Sequence, residues 1–99
     1  MARPARVIEV DYLGAHQLRV AFTDGLVREL DFAGTLRGGV FTELEDAAYF
    51  AQATVDPVGG TICWPNGVDL DPDVLHGDFE PARGSGPRLL REYRLRPTA

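Results

Sequence analysis

RVIEVDYLGAHQLRVAFTDGLVRELDF, residues Arg6 to Phe32, alternates apolar and polar side chains three times over. In its first segment Ile8, Val10 and Tyr12 share one face, while Glu9 and Asp11 take the other, the period-two signature of a half-buried strand. Gly14-Ala15-His16 makes a turn, and Leu18, Val20 and Phe22 repeat the alternation. Asp24-Gly25 follows. A DG pair between alternating segments signals a hairpin, because glycine accepts positive φ at little cost. In the third segment Leu30 and Phe32 point inward and Glu29 and Asp31 outward. The stretch predicts three antiparallel strands in a meander.

Beyond Phe32 the period changes. GTLRGGV (34–40) is broken by glycine and reads as loop, with one helical turn around Leu36. In FTELEDAAYFAQ (41–52) the apolar positions Phe41, Leu44, Ala47, Ala48 and Ala51 recur three and four apart, which predicts one amphipathic helix. Thr42 with Glu45 forms a candidate capping box, and Asp46 is a second candidate N-cap for a later start. A lone three-stranded meander cannot bury a face by itself, so this helix is expected to cover the sheet. ATVDPVGGTICWP (53–65) then reads as a second hairpin, turning at Asp56-Pro57 and Gly59-Gly60, with Ile62 and Trp64 on one face and Cys63 on the other. Pro65-Asn66-Gly67 ends its second strand, since proline cannot donate to a ladder.

DLDPDVLHGDFE (69–80) carries carboxylates at its first, third, fifth and last positions, the spacing of a calcium-binding EF-hand loop. That loop needs glycine at its sixth position, where Val74 stands here. Capping accounts for the same residues better. Asp71 is a good N-cap, Pro72 suits the first helical position, and Asp73 faces the positive end of the helix dipole. We read a short helix from Pro72 to His76, closed by Gly77.

Ninety-nine residues, 44% hydrophobic and 25% charged, fit one ordinary globular domain. The net charge of −5 hides an asymmetry. Residues 1–80 hold five arginines against fourteen acids, giving −9, and residues 81–99 hold five arginines against Glu92 alone, giving +4. The division read from this is an α+β domain over residues 1–81 and a basic C-terminal extension over 82–99. In that extension PARGSGP (81–87) is linker-like, and RLLREYRLR (88–96) spaces Arg88, Arg91 and Arg94 three apart, which predicts a short C-terminal helix. The fold expected is thus a meander, one helix, a second hairpin in the same or a facing sheet, and a short terminal helix.

Several chemistries lose support. The single cysteine, Cys63, lies in a strand with no adjacent base and reads as a small core residue in a reducing, cytoplasmic setting. His16 and His76 have no histidine or cysteine at ligand spacing, so no zinc site is read. No phosphate loop, secretory signal or membrane-length apolar run appears, and no cofactor or catalytic constellation is called for.

YLG (12–14), FTDG (22–25), GGVFTELEDAAYF (38–50) and VDPVGGTICWPNGVDLDPDVL (55–75), in that order, resemble the bacterial family of unknown function DUF2442. The resemblance covers about residues 5 to 77, and its most specific piece is ICWPNGVDL (62–70) followed by Asp71-Pro72. It implies a small α+β domain, found alone or ahead of a helix-turn-helix segment. It also implies a second small protein encoded alongside, an arrangement like that of toxin–antitoxin pairs. The resemblance points to a partner-binding module and not an enzyme. It carries no established catalytic residue, and no helix-turn-helix follows residue 80.

The functional expectation is a protein-interaction module, the antitoxin-like half of a small pair. Its candidate surface is Trp64, Asn66, Asp69, Asp71, Asp73 and Asp78 together with Arg88, Arg91, Tyr93 and Arg94. Trp64 has a competing role, because a domain this small needs its one tryptophan in the core, and the core reading is preferred. The basic tail has three candidate partners: the acidic body of its own or another subunit, a second protein, or nucleic acid. An acidic body repels nucleic acid, so the second functional reading, a nucleic-acid accessory, rests on the tail arginines alone. Binding of a small ligand or a metal is a third.

Overall fold

The computed structural model describes residues 5–35, 39–77 and 86–95. The turn expected around Leu36, and the candidate Asp78, lie outside them. The meander is present as β1 (Val7–Gly14), β2 (Gln17–Phe22) and β3 (Leu26–Asp31), antiparallel in that order. At the DG turn Gly25 adopts φ +88, and the Asp24 carboxylate accepts the Leu26 amide at 3.0 Å. Leu18, Val20, Phe22, Leu26, Leu30 and Phe32 form a buried inner face. One detail of β1 differs. A bulge between Val7 and Glu9 shifts the register, so Val7 is buried and Ile8 is 58% exposed. The cause is at the strand entrance, where the Val7 amide is drawn to the Gly60 carbonyl at 2.9 Å. An extra residue there moves every preceding side chain to the opposite face.

The C-terminal segment is a strand and not the helix expected. β6 (Arg88–Arg94) runs antiparallel to β3 and makes the sheet four-stranded, in the order β1-β2-β3-β6. The three-residue arginine spacing suggested a helix because a bulge was invisible in it. The ladder pairs Asp31 with Arg88 and Leu30 with Leu89, skips Leu90, then pairs Glu29 with Arg91 and Val27 with Tyr93. The skipped residue brings Arg88 and Arg91 to one face, opposite Asp31 and Glu29, whereas Arg94, opposite Leu26, belongs to the other. The segment set apart as a basic extension therefore contributes an edge strand to the main sheet.

Short elements cover the inner face. They are a 3-10 helix (Gly39–Glu45), α1 (Ala47–Phe50), the hairpin of β4 (Thr54–Asp56) and β5 (Thr61–Cys63), and α2 (Pro72–His76). The single helix expected over 41–52 is broken at Asp46, whose extended backbone (φ −78, ψ 120) caps α1 through the Ala48 amide. Burial explains the break. Leu44 and Phe50 are both fully buried, and six positions along a continuous α-helix would point them about 120° apart. The Thr42–Glu45 capping box does not form, because the Thr42 hydroxyl donates to the Gly39 carbonyl at 2.9 Å.

The second hairpin pairs β4 with β5 as a sheet of its own, packed beside β1. α2 has the bounds and caps read from the sequence: the Asp71 side chain accepts the Asp73 amide at 2.9 Å, and Gly77 closes it at φ +92. No helix among the described residues is long and apolar enough to cross a membrane.

Trp64 and Phe50 join these pieces. The Trp64 indole N–H donates to the Phe50 carbonyl at 2.9 Å, and both side chains are buried. The Phe50 ring lies 5.0 Å from His16, 5.6 Å from Phe32 and 5.6 Å from Trp64 between centroids. Phe50→Ala is expected to cost about 3–5 kcal/mol, since it removes a large ring from a site with little room to collapse. Trp64→Phe keeps an aromatic ring but removes the indole bond and leaves the Phe50 carbonyl with the Ala53 amide alone, 3.2 Å away, at about 0.5–1.5 kcal/mol. Urea denaturation checks both as a lowered midpoint with an unchanged slope.

Candidate functional site

The WPNG turn is built by its own backbone. The Gly67 amide donates to the Trp64 carbonyl and the Trp64 amide to the Val68 carbonyl, each at 2.9 Å. The Asn66 side-chain oxygen accepts the Val68 amide at 3.1 Å, and Gly67 takes φ +88, which its missing Cβ allows. This turn stands opposite the 3-10 helix. Between them runs an open groove of about 490 Å³, with Phe41 and Val68 among its apolar lining and Glu43, Asn66 and Asp69 among its polar groups. The Asn66 amide donates to Glu43 across it at 3.3 Å.

Charge is unevenly placed around this groove. Glu43, Glu45, Asp46, Asp69, Asp71 and Asp73 are all exposed on the layer that covers the sheet. Among the described residues none of them pairs with an arginine. The carboxylates that do are on the sheet and its turns. Arg19 meets Asp11 at 3.2 Å, Arg88 meets Asp31 at 3.2 Å, Arg91 meets Glu29 at 3.8 Å, and Arg94 meets Asp24 at 3.5 Å. The guanidinium of Arg19 is raised further above its usual range, chiefly by the hydrogen bond to Asp11.

The candidate residues therefore separate into three groups. Asn66 and Asp69 line the groove. Trp64 does not face a partner, since it is core, and Asp71 is spent as a helix cap. Arg88, Arg91, Tyr93 and Arg94 lie on β6, where Arg91 sits over the Tyr93 ring at 4.9 Å. The described tail arginines, Arg88, Arg91 and Arg94, dock on the acidic body of their own chain, on β3 and the DG turn and not on the carboxylates of residues 69–73. Just before β6, Pro87 closes a small cleft of about 140 Å³ with Phe32, Leu70 and Val74, and at its far end Arg94 shares the Asp24 carboxylate with His76 of α2. Cys63 is half-buried, with Sγ 3.7 Å from the Thr54 hydroxyl.

Sequence reasoning missed Phe41 and Glu43 as the far wall of the groove, and it missed the pairing of His76 with Asp24. The His76 ring nitrogen Nε2 lies 2.7 Å from the Asp24 carboxylate, 52 positions away in the chain. No spacing rule reaches that far. His16, read as a turn residue, places Nε2 at 3.0 Å from the carbonyls of both Leu44 and Glu45. Both are acceptors, so this nitrogen carries the proton.

Among the described residues the groove lining contains no histidine, cysteine or serine, and no cluster of three or more His, Cys, Asp or Glu is arranged to hold a metal ion. With this geometry in hand, comparison with known proteins gives one match: residues 7–80 fit the family model described as a protein of unknown function, DUF2442. The chain belongs to the DUF2442 family. No curated protein and no solved structure matches it significantly. The matched DUF2442 region contains the groove and α2 and ends before β6.

One electrostatic consequence is testable. Burial pushes the Asp24 carboxyl up, but the Leu26 amide and the His76 ring, with the charges of His76 and Arg94, outweigh it, and the group sits below its ordinary value of 3.8. A carboxyl depressed in the folded state stabilises above its unfolded value, and that contribution is lost as the pH falls through the folded value. Urea midpoints measured from pH 6 down to pH 3 are expected to drop less steeply below about pH 4 for Asp24→Asn than for the parent.

Proposed function

We propose that this DUF2442 chain is a protein-interaction module whose groove receives a basic segment of a small partner protein. The observation that carries the reading is the open groove between the 3-10 helix and the WPNG turn. Its rim bears Glu43 and Asp69, and the layer around it carries exposed carboxylates that no described arginine neutralises. An apolar floor with an acidic rim suits the aliphatic stem and charged head of arginine or lysine. Unpaired carboxylates of one sign also raise the association rate of a cationic partner. The finer reading, an antitoxin-like protein in a two-protein pair, rests on the gene arrangement that goes with this type of sequence.

The nucleic-acid reading is the less favoured of the two for the described tail arginines. Arg88, Arg91 and Arg94 are each engaged with a carboxylate of β3 or the DG turn, and would have to give up those pairs to neutralise phosphates.

Co-expression with the product of the adjacent gene is expected to give a complex that survives purification at low salt, and to relieve any toxicity of that product. Reversing the rim with Glu43→Lys and Asp69→Lys is expected to weaken the complex roughly tenfold or more, mainly through the on-rate. A pair that neither co-purifies nor rescues growth sinks the reading, and so does a rim reversal that leaves affinity unchanged.

A further inference from the structure

β3 would be the edge of the sheet if the chain stopped with the family-matched region at residue 80. An edge strand presents unpaired N–H and C=O groups, ready to take another strand. In this chain β6 fills that place, and the two strands differ sharply in character. Leu26, Val27 and Leu30 of β3 are buried, whereas every residue of β6 except Tyr93 is exposed. The same asymmetry holds in the ion pairs. The side chains of Arg88, Arg91 and Arg94 are 74%, 68% and 58% exposed, against 14%, 18% and 35% for their partners Asp31, Glu29 and Asp24. A sheltered β3 edge, acidic at Asp31 and Glu29 and basic at Arg28, faces an exposed strand of complementary charge. That is the relation of a site to its ligand.

We propose that the free edge of β3 is a strand-docking site, filled in cis by residues 88–94, and that an extended arginine-bearing segment of a partner protein takes the place of β6. The occupant's pattern is written in the ladder. It carries arginine opposite Asp31, leucine opposite Leu30, arginine opposite Glu29, glutamate opposite Arg28 and an aromatic opposite Val27, with a further arginine reaching Asp24. Main-chain pairing supplies affinity in this mode of recognition, and side chains at fixed positions supply selectivity. Exposed ion pairs hold a strand weakly and are screened by salt, so the cis strand is displaceable. Its advantage over a competitor is the effective concentration that the chain connection gives it. This site is distinct from the groove and stands or falls without it.

Hydrogen exchange on the intact chain reads the first half of the inference. Amides of residues 88–94 are expected to exchange faster than those of β2, and raising NaCl from about 50 to about 500 mM to speed them roughly tenfold while β2 is unaffected. The second half uses a fluorescent peptide spanning Gly86 to Arg96. It is expected to bind full-length protein carrying Arg88→Glu, Arg91→Glu and Arg94→Glu more tightly than the parent, whose own strand competes. The peptide with those three arginines changed to glutamate is expected not to bind. Exchange of β6 in step with β2 at both salt concentrations overturns the proposal, as does a peptide that binds the charge-reversed chain no better than the parent. Should that variant fail to fold, the salt dependence of exchange in the parent still decides.

Discussion

The bond from the Trp64 indole to the Phe50 carbonyl is the constraint on which the rest of the structure hangs. The sheet presents a long apolar face, and among the described residues nothing long covers it. α1 has four residues, α2 five, and β4 and β5 three each. Elements this short have no stability of their own in water. They persist because one aromatic cluster ties them to the sheet and to each other. Trp64 brings in the end of β5, Phe50 brings in α1, and His16, donating to the carbonyls at the end of the 3-10 helix, holds that helix to the β1–β2 turn. The groove follows from this. Its two walls are the segments drawn down by Leu44 and Trp64, and the gap between them is what those anchors leave open.

A second knot sits on the same inner face, around Arg28. Its side chain emerges on the inner face of β3, is 13% exposed, and donates to the Leu75 carbonyl at 2.7 Å. Its Nε lies 3.0 Å from Glu92, a charge contact and not an aligned hydrogen bond. One arginine thus satisfies a carbonyl at the end of α2 and meets the one acid of β6. Gly77 is fixed by the same residue. Besides its φ of +92, a Cβ there would stand 2.7 Å from the Arg28 guanidinium. Placing α2 and placing β6 are one problem, solved by one side chain. A sheltered guanidinium is tolerable there because both of its partners are in reach.

What was legible in the sequence was what is local. The meander, the DG turn and α2 with both caps depend on neighbours within a few residues, and each was readable from alternation, from glycine, or from the Asp-Pro-Asp start. The failures share one physical cause, which is tertiary contact overriding a local period. Leu44 and Phe50 both had to point inward, and that broke the helix at Asp46. The β3 edge was free, and that drew Arg88–Arg94 out as a strand, with a bulge at Leu90 absorbing the mismatch. Val7 replaced Ile8 in the core because the hairpin at Gly60 captured its amide. The candidate site divides in the same way. Asn66 and Asp69 were readable from the turn they flank, but Phe41 and Glu43 lie more than twenty residues away, and only the packing of Leu44 brings them opposite.

The carboxylate spacing of residues 69–80 also changes meaning once the fold is known. Asp71 spends its side chain on a helix cap, Asp69 faces the groove, and Asp73 lies in the first turn of α2, so equal spacing in sequence becomes three different roles. The calcium-like pattern was the by-product of a cap beside a turn. Elsewhere the sheet's acids, Glu9 apart, are engaged by arginines, which leaves the unneutralised charge of the described chain concentrated on the covering layer. A field of one sign over a grooved surface acts at a distance of about a Debye length, roughly 8 Å in physiological salt, and attracts cations whatever else they carry. Selectivity among those cations has to come from shape. The two proposed sites differ in that respect: the groove would take a side chain between two short elements, and the β3 edge only extended backbone. A basic partner with a flexible arginine-bearing segment would satisfy both, and a folded basic surface only the first.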